Sequence, residues 1–235
     1  MKPNGKKLGV LGGMGSAASA EFLRLLAEKA PADKDQEHPI VYMIADSQIP
    51  DRTEAILGKG EDPSAQLRAD LEKLVAIGAD ILAVPCNTAH YFIDKFSTPL
   101  PKPLIHIIAE TVKAAQAMSP EGVWMISTIG TWQTGLYQKY AEKQGLKLYF
   151  PTEKQRNLLH AAITDVKANR MQKAGKTVKT VVEELWQVKH LPIMTACTEL
   201  PLAYAASGLP REKEVSSLTA LADACLKVLY NQSPE

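Results

Sequence analysis

Residues 84–90 read VPCNTAH and follow directly on the apolar run Ile81-Leu82-Ala83, while residues 191–201 read LPIMTACTELP, an apolar run that ends at Cys197 and meets Thr198 at once. Each stretch places a thiol at the end of a strand-like run with hydrogen-bonding residues just past it. In open α/β sheets, ligands bind beyond the carboxyl ends of the strands, where helix N-termini present unpaired N–H groups. Oriented amides at such an edge stabilise a thiolate and lower a thiol's pKa from about 8.5, making it a usable base near neutral pH. The competing reading is that each cysteine packs as a small hydrophobe, as free thiols commonly do. For Cys225, on the apolar face of LTALADACLKVLY, core packing is the reading adopted.

Two thiols facing one pocket suggest a particular chemistry. Acyl transfer needs only one nucleophile, whereas two matched acid/bases on opposite faces of one carbon can remove a proton from one side and deliver another to the opposite side, inverting the centre. With a carbon in van der Waals contact on both sides, the sulfurs should lie about 7–8 Å apart. An amino-acid α-proton is far less acidic than a thiol, so charge developing on the carboxylate must be stabilised in the transition state. Asn87, Thr88 and Thr198, with their backbone N–H groups, offer donors for that carboxylate, although Asn and Thr also serve as ordinary helix caps. Arg52 in SQIPDRT, in a loop stiffened by Pro50, offers a bidentate fork or else a surface ion pair with Asp51 or Glu54. Lys167 in ITDVKAN is a second cation, or part of a solvated helix face. His90 and His106 are either acid/base groups or packed histidines.

Positioning these groups requires alternating strands and helices, and the chain alternates throughout. Short β-rich runs at 8–11, 40–45, 81–85, 104–107, 123–127, 147–150 and 193–196 are separated by segments with apolar residues three and four apart, at 17–28, 64–77, 109–118, 133–143, 154–170, 178–188 and 218–229. The pattern predicts an α/β protein with parallel sheets flanked by helices. Gly78, Gly145 and Gly208 fall where C-terminal helix caps belong. The proline-rich STPLPKP at 97–103 predicts a connector, so one domain is expected over 1–98 and a second over 99–209, with 210–235 packing back on the first. Cys86 belongs to the first domain and Cys197 to the second, and the echo between ILAVPCNTAH and PIMTACTELP hints at two related halves.

Composition removes other classes. The chain has 235 residues, 46% hydrophobic and 23% charged, with 27 basic against 26 acidic residues and a formal charge of +1. A balanced charge offers no field for nucleic acid or an anionic membrane, and no apolar run reaches the ~20 residues of a membrane span. Lys2, Lys6 and Lys7 before an apolar stretch imitate a signal peptide, but Gly9, Gly12, Gly13 and Gly15 break it. Three cysteines without a close pair argue against a metal site or redox couple and for a reducing cytoplasm. LGVLGGMGS is a strand and glycine-rich turn suited to an anion, yet it lacks the GxGxxG spacing and Asp46 follows too late for a dinucleotide fingerprint.

Taken together, LGVLGGMG, SQIPDRT, VPCNTAHYF, PLIHIIAET, STIGTWQTGLY and ACTELP, spread from residue 8 to about 201, resemble the aspartate/glutamate racemase family. The resemblance implies two similar Rossmann-like domains with the site in the cleft between them, a homodimer, an amino-acid substrate and no cofactor or metal. It also implies Cys86 and Cys197 as the paired acid/bases, with substrate contacts from Met14 through its backbone, Arg52, the Asn87-Thr88-Ala89 turn, Thr128, Thr131, Lys167 and Thr198. Departures occur at Ser16, Ser19 and EVSSLTALA near 214, and these bear on which amino acid is bound. Alternatives in this fold are a one-cysteine isomerase or decarboxylase, such as a maleate isomerase, and a non-catalytic amino-acid or dicarboxylate binding protein.

Overall fold

The computed structural model of the chain describes residues 1–230. Strand β1 (Leu8–Gly12) leads to α1 (Ser16–Lys29), β2 (Val41–Ala45), α2 (Arg52–Ile56), α3 (Ser64–Ala76), β3 (Ile81–Ala83), α4 (His90–Ile93), β4 (Leu104–Ile105) and α5 (Ile107–Met118). There follow β5 (Val123–Ser127), α6 (Ile129–Gln133), α7 (Leu136–Gln144), β6 (Leu148–Tyr149), α8 (Glu153–Lys167), α9 (Met171–Val188), β7 (Ile193–Ala196), α10 (Leu200–Ser207), β8 (Glu214–Ser216) and α11 (Ser217–Leu229).

The strands form two four-stranded sheets, ordered β2-β1-β3-β4 and β6-β5-β7-β8, and every pairing is parallel. Strands β1, β5 and β7 are buried along their whole length. That is why they read as unbroken apolar runs rather than alternating ones: helices cover both faces of a parallel sheet. A central core containing Leu8, Val10, Met125, Met194, Tyr137 and Leu221 joins the two sheets, and Cys225 is fully buried within it. Outer cores form around Leu67, Leu71 and Leu74 of α3 in the first half and around Val178, Val181 and Val182 of α9 in the second.

Helix α11 packs on both α1 and α5, and the edge strands of the two sheets do not follow a simple division of the chain. Strand β4 lies beyond residue 99 and joins the first sheet, because the prolines end at Pro103 and leave Leu104–Ile105 free to pair with β3. Strand β8, which the sequence reading missed, lies beyond residue 210 and joins the second sheet, where Thr195 Oγ1 donates to Val215 O at 3.3 Å and Glu214 Oε1 at 2.9 Å. The helix expected at 133–143 is α7, which begins only at Leu136 because Gly135 before it has a left-handed φ of 66° and separates it from the short α6.

The Glu214 carboxyl is pushed up to about 7 by burial, against the opposing pull of Thr195 and Arg211. Its folded pKa therefore lies above the ordinary 4.5, so stability present below pH 4.5 is lost as pH rises through about 7. Glu214→Gln removes that loss. Thermal denaturation should show the variant more stable than the parent by about 1–3 kcal/mol at pH 8, with the difference shrinking below pH 5.

Candidate active site between the two sheets

Each sheet reverses strand order beside its first strand: β2 lies on one side of β1 and β3 on the other, and β6 and β7 flank β5 in the same way. Crevices open at the carboxyl ends of strands at such points. Met14 follows β1, Cys86 follows β3, Thr128 follows β5 and Cys197 follows β7, and all four line one narrow slot. The two crevices thus face each other. Asp51, Arg52, Thr53, Asn87, Thr88, Lys167, Thr198 and Glu199 complete the slot.

Both thiols are free, and both are 5% exposed. The slot itself is only about 20 Å³, but it shares Asp51, Arg52, Lys167 and Glu199 with an adjoining cavity of about 370 Å³ that is also walled by Gly13, Gly15, Ser16, Ala17, Ser47 and Ile49. Ser16, one of the departures noted in the sequence, lies on that wall.

The electrostatics of one thiol differ from expectation. Burial first, and then the charge of Glu199, push the Cys197 thiol well above its ordinary range, with Lys167 and the Glu199 backbone working the other way. Desolvation and the neighbouring carboxylate outweigh the lowering expected of a thiol at a helix N-terminus. Cys197 Sγ donates to Glu199 Oε2 at 3.1 Å, and Glu199 Oε1 accepts from the Gly15 N–H at 2.9 Å.

Arg52 opens α2 instead of lying in a loop, and Asp51 caps that helix by accepting from Thr53 N at 2.8 Å and Glu54 N at 3.0 Å. The guanidinium is 8% exposed and donates to the carbonyls of Ile49, Pro50 and Met14, while its Nε has no partner. It makes no ion pair with Asp51 or Glu54 within 4.0 Å; Asp51 instead meets Lys167 at 3.6 Å, across the cleft from α2 to α8. A buried cation satisfied only by carbonyls is suited to an incoming anion.

Three hydroxyls interlock across the cleft: Thr88 Oγ1 lies 2.9 Å from Thr131 Oγ1 and 3.1 Å from Thr128 Oγ1, and Thr128 Oγ1 donates to Thr131 Oγ1 at 3.0 Å. Thr128 also caps α6 through the Thr131 N–H at 3.0 Å. Thr131 and Ala89 stand behind the slot and are not part of its lining. The Asn87 side chain is fixed by structure, accepting from Tyr137 Oη at 2.6 Å and donating to Ser217 Oγ at 3.1 Å. Burial, with His106 beside it, drives His90 down to about 3. It is therefore a neutral packing group whose Nδ1 donates to the Cys86 carbonyl at 2.9 Å. His106 pairs with Asp94 at 3.0 Å, away from the thiols.

Glu199, Tyr137 and Ser217 were missed by the sequence reading. The signal for Glu199 is present in ACTELP, as an acidic residue two positions after the thiol. Tyr137 and Ser217 are remote in sequence from Asn87 and carry no local signal. Among the described residues, no group of three His, Cys, Asp or Glu side chains is placed to hold a metal ion, and no helix is long and apolar enough to cross a membrane.

Helices α2 and α6 meet closely across the cleft at Gly130, where a Cβ would lie 3.0 Å from Thr53 Oγ1 and 3.2 Å from Thr53 Cα. The backbone atom cannot rotate away, so Gly130→Ala should displace α2 and with it Arg52. Overpacking against backbone is destabilising, and thermal denaturation should show the variant about 1–3 kcal/mol less stable than the parent. An unchanged melting temperature would mean that α2 and α6 can part at this contact without cost.

Residues 11–224 match the profile of the Asp/Glu/Hydantoin racemase family. The chain is 29% identical over 201 residues to the broad specificity amino-acid racemase RacX of Bacillus subtilis, covering 82% of this chain and 85% of that protein. Among solved structures it resembles the Picrophilus torridus aspartate racemase, with a TM-score of 0.84 and 27% identity over 95% of this chain and 93% of the other. The fold is shared also with glutamate racemase isoform RacE1 of Bacillus anthracis, at a TM-score of 0.68 and 19% identity, covering 97% and 83% of the two chains.

Proposed function

The chain belongs to the Asp/Glu/hydantoin racemase family, and on that premise we propose that it racemises amino acids without pyridoxal phosphate, Cys86 and Cys197 acting as acid and base on opposite faces of the α-carbon. The observation that carries this reading is that one slot is lined by both thiols, each from the strand end of a different sheet. A one-cysteine isomerase or decarboxylase would leave the second thiol without a role.

In this reading the α-carboxylate lies against the donors that follow the two cysteines, at Asn87, Thr88 and Thr198, with Thr128 beside them. Met14 contributes its backbone, and Ala89 and Thr131 hold the Asn87-Thr88 turn and the hydroxyl cluster in place. Arg52 and Lys167 face the adjoining cavity and suit a second carboxylate, so acidic amino acids are the first substrates to test. The aspartate racemase relative supports that choice, and the broad-specificity relative argues for a wider panel. The enzyme is taken to work as a cytoplasmic homodimer. Its three free, buried thiols suit a reducing compartment, and light scattering tests the dimer.

Function is tested by incubating the pure protein with L-aspartate, L-glutamate and other amino acids in heavy water and following the α-proton by NMR. Exchange with at least one of them is expected; exchange with none would end this reading. Tight binding without exchange would favour a binding protein.

A further inference from the structure

Cys86 is tied to the sheet that carries Cys197 by the residue next to it. Asn87 is 2% exposed, and both polar atoms of its side chain are engaged: Oδ1 accepts from Tyr137 Oη at 2.6 Å and Nδ2 donates to Ser217 Oγ at 3.1 Å. Tyr137 stands on α7, between β5 and β6, and Ser217 opens α11 directly after β8. These three strands share one sheet with β7, whose end carries Cys197. Building on the two-cysteine reading, we propose that Tyr137 is a positioning residue for Cys86, acting through the Asn87 side chain to set that thiol opposite Cys197.

Tyr137 is fully buried and is not part of the slot's lining, so it acts on the reacting atoms only through another residue. It lies in the central apolar core, where packing alone would be served by Phe, and a buried hydroxyl is costly unless it is bonded. Burial pushes its phenol up, so the O–H stays protonated and donates. The Cys86-Asn87 turn is also held from its own side: His90 Nδ1 donates to the Cys86 carbonyl at 2.9 Å, and the His90 N–H donates to the Asn87 carbonyl at 3.1 Å. With the Tyr137 bond gone, the contacts to His90 remain. The turn then keeps its local shape and loses its register against the second sheet, and a proton transfer at each face of one carbon depends on that register.

Tyr137→Phe keeps the ring in the core and removes the oxygen. With an amino acid that the wild type racemises, it should lower kcat about tenfold and leave KM within about threefold, since misplacing a reacting group by ~1 Å can cost about 10²-fold. In an Asn87→Ala background the same substitution should change kcat by less than about twofold, because the link it breaks is already absent. If Asn87→Ala does not fold, Asn87→Leu, which keeps the volume, is the background. A Tyr137→Phe kcat within about twofold of wild type, whatever the melting temperature does, would overturn the proposal. So would an about tenfold loss that persists in the Asn87 background, which would place the action of the hydroxyl on Thr111 or Cys197, the other groups beside it.

A second measurement does not need turnover. Cys86 and Cys197 are equally buried, at 5% exposure, and Cys225 is sealed in the core at 0%. Labelling with iodoacetamide, read peptide by peptide in a mass spectrometer, should be at least about threefold faster at Cys86 in Tyr137→Phe than in wild type, and within about twofold at Cys197, because a loosened turn opens locally. An unchanged Cys86 rate, or a rise shared equally by Cys197, would overturn the proposal. Should the wild type exchange no amino acid at all, the function proposed above falls, while the labelling still tests whether Tyr137 holds the Cys86 turn.

Discussion

Cys86→Ala and Cys197→Ala should each abolish racemisation, lowering kcat by at least about 10²–10⁴-fold, with little change in substrate KM. The expectation follows from the geometry: inversion needs one group to take hydrogen from one face and another to supply it at the other. Each thiol comes from a different sheet, Cys86 beyond β3 and Cys197 beyond β7, and no other ionisable sulfur reaches the slot, because Cys225 is in the central core. Both side chains are small and sit at 5% exposure, so loss of one sulfur should leave the fold intact, as melting curves can check. Normal turnover in the Cys86→Ala protein would contradict the two-base scheme.

Arg52→Lys should lower kcat/KM by about 10–100-fold even though the charge is kept. The guanidinium is buried, bonded to three carbonyls, and has an unpartnered Nε. An ammonium cannot span those carbonyls and still present a planar fork to a carboxylate. Charge-assisted hydrogen bonds are worth about 1.5–3 kcal/mol each, which sets the size of the expected loss. If the loss is confined to acidic amino acids and spares neutral ones in steady-state assays, Arg52 binds the side-chain carboxylate. A uniform loss would place it at the α-carboxylate, and no loss would remove it from the substrate's contacts.

The parts of this protein legible in its sequence are those governed by local pattern. Central strands β5 and β7 could be read to the residue, because burial on both faces makes them continuous apolar runs with clear ends. The short helices α2, α4 and α6 were not foreseen, since a turn or two of helix after a strand has too few residues to show a period. Strand β8 was missed because three residues between a 3-10 turn and a helix look like a loop, and only the partner β7 makes them a strand.

The same division holds at the site. Cys86 and Cys197 could be picked out as strand-end thiols, and Arg52 as a candidate fork. Arg52's burial could not, because it depends on carbonyls brought together by the fold. Nor could the Cys197 electrostatics, which depend on desolvation and on Glu199 turning back toward the sulfur. Ser217, inside the stretch that departs from the family pattern, turned out to anchor Asn87, a long-range contact that no spacing rule reveals.

The origin of the hydrogen on the inverted carbon tests the central claim most directly. One enantiomer carrying protium at the α-carbon is converted in heavy water, and product and remaining substrate are separated at low conversion and analysed by mass spectrometry. With two distinct groups on opposite faces, the product should be almost wholly deuterated from the outset while the recovered substrate still holds protium. Inverted product that retains its original protium would mean that a single group carries the hydrogen from one face to the other, and the paired-thiol account would be wrong.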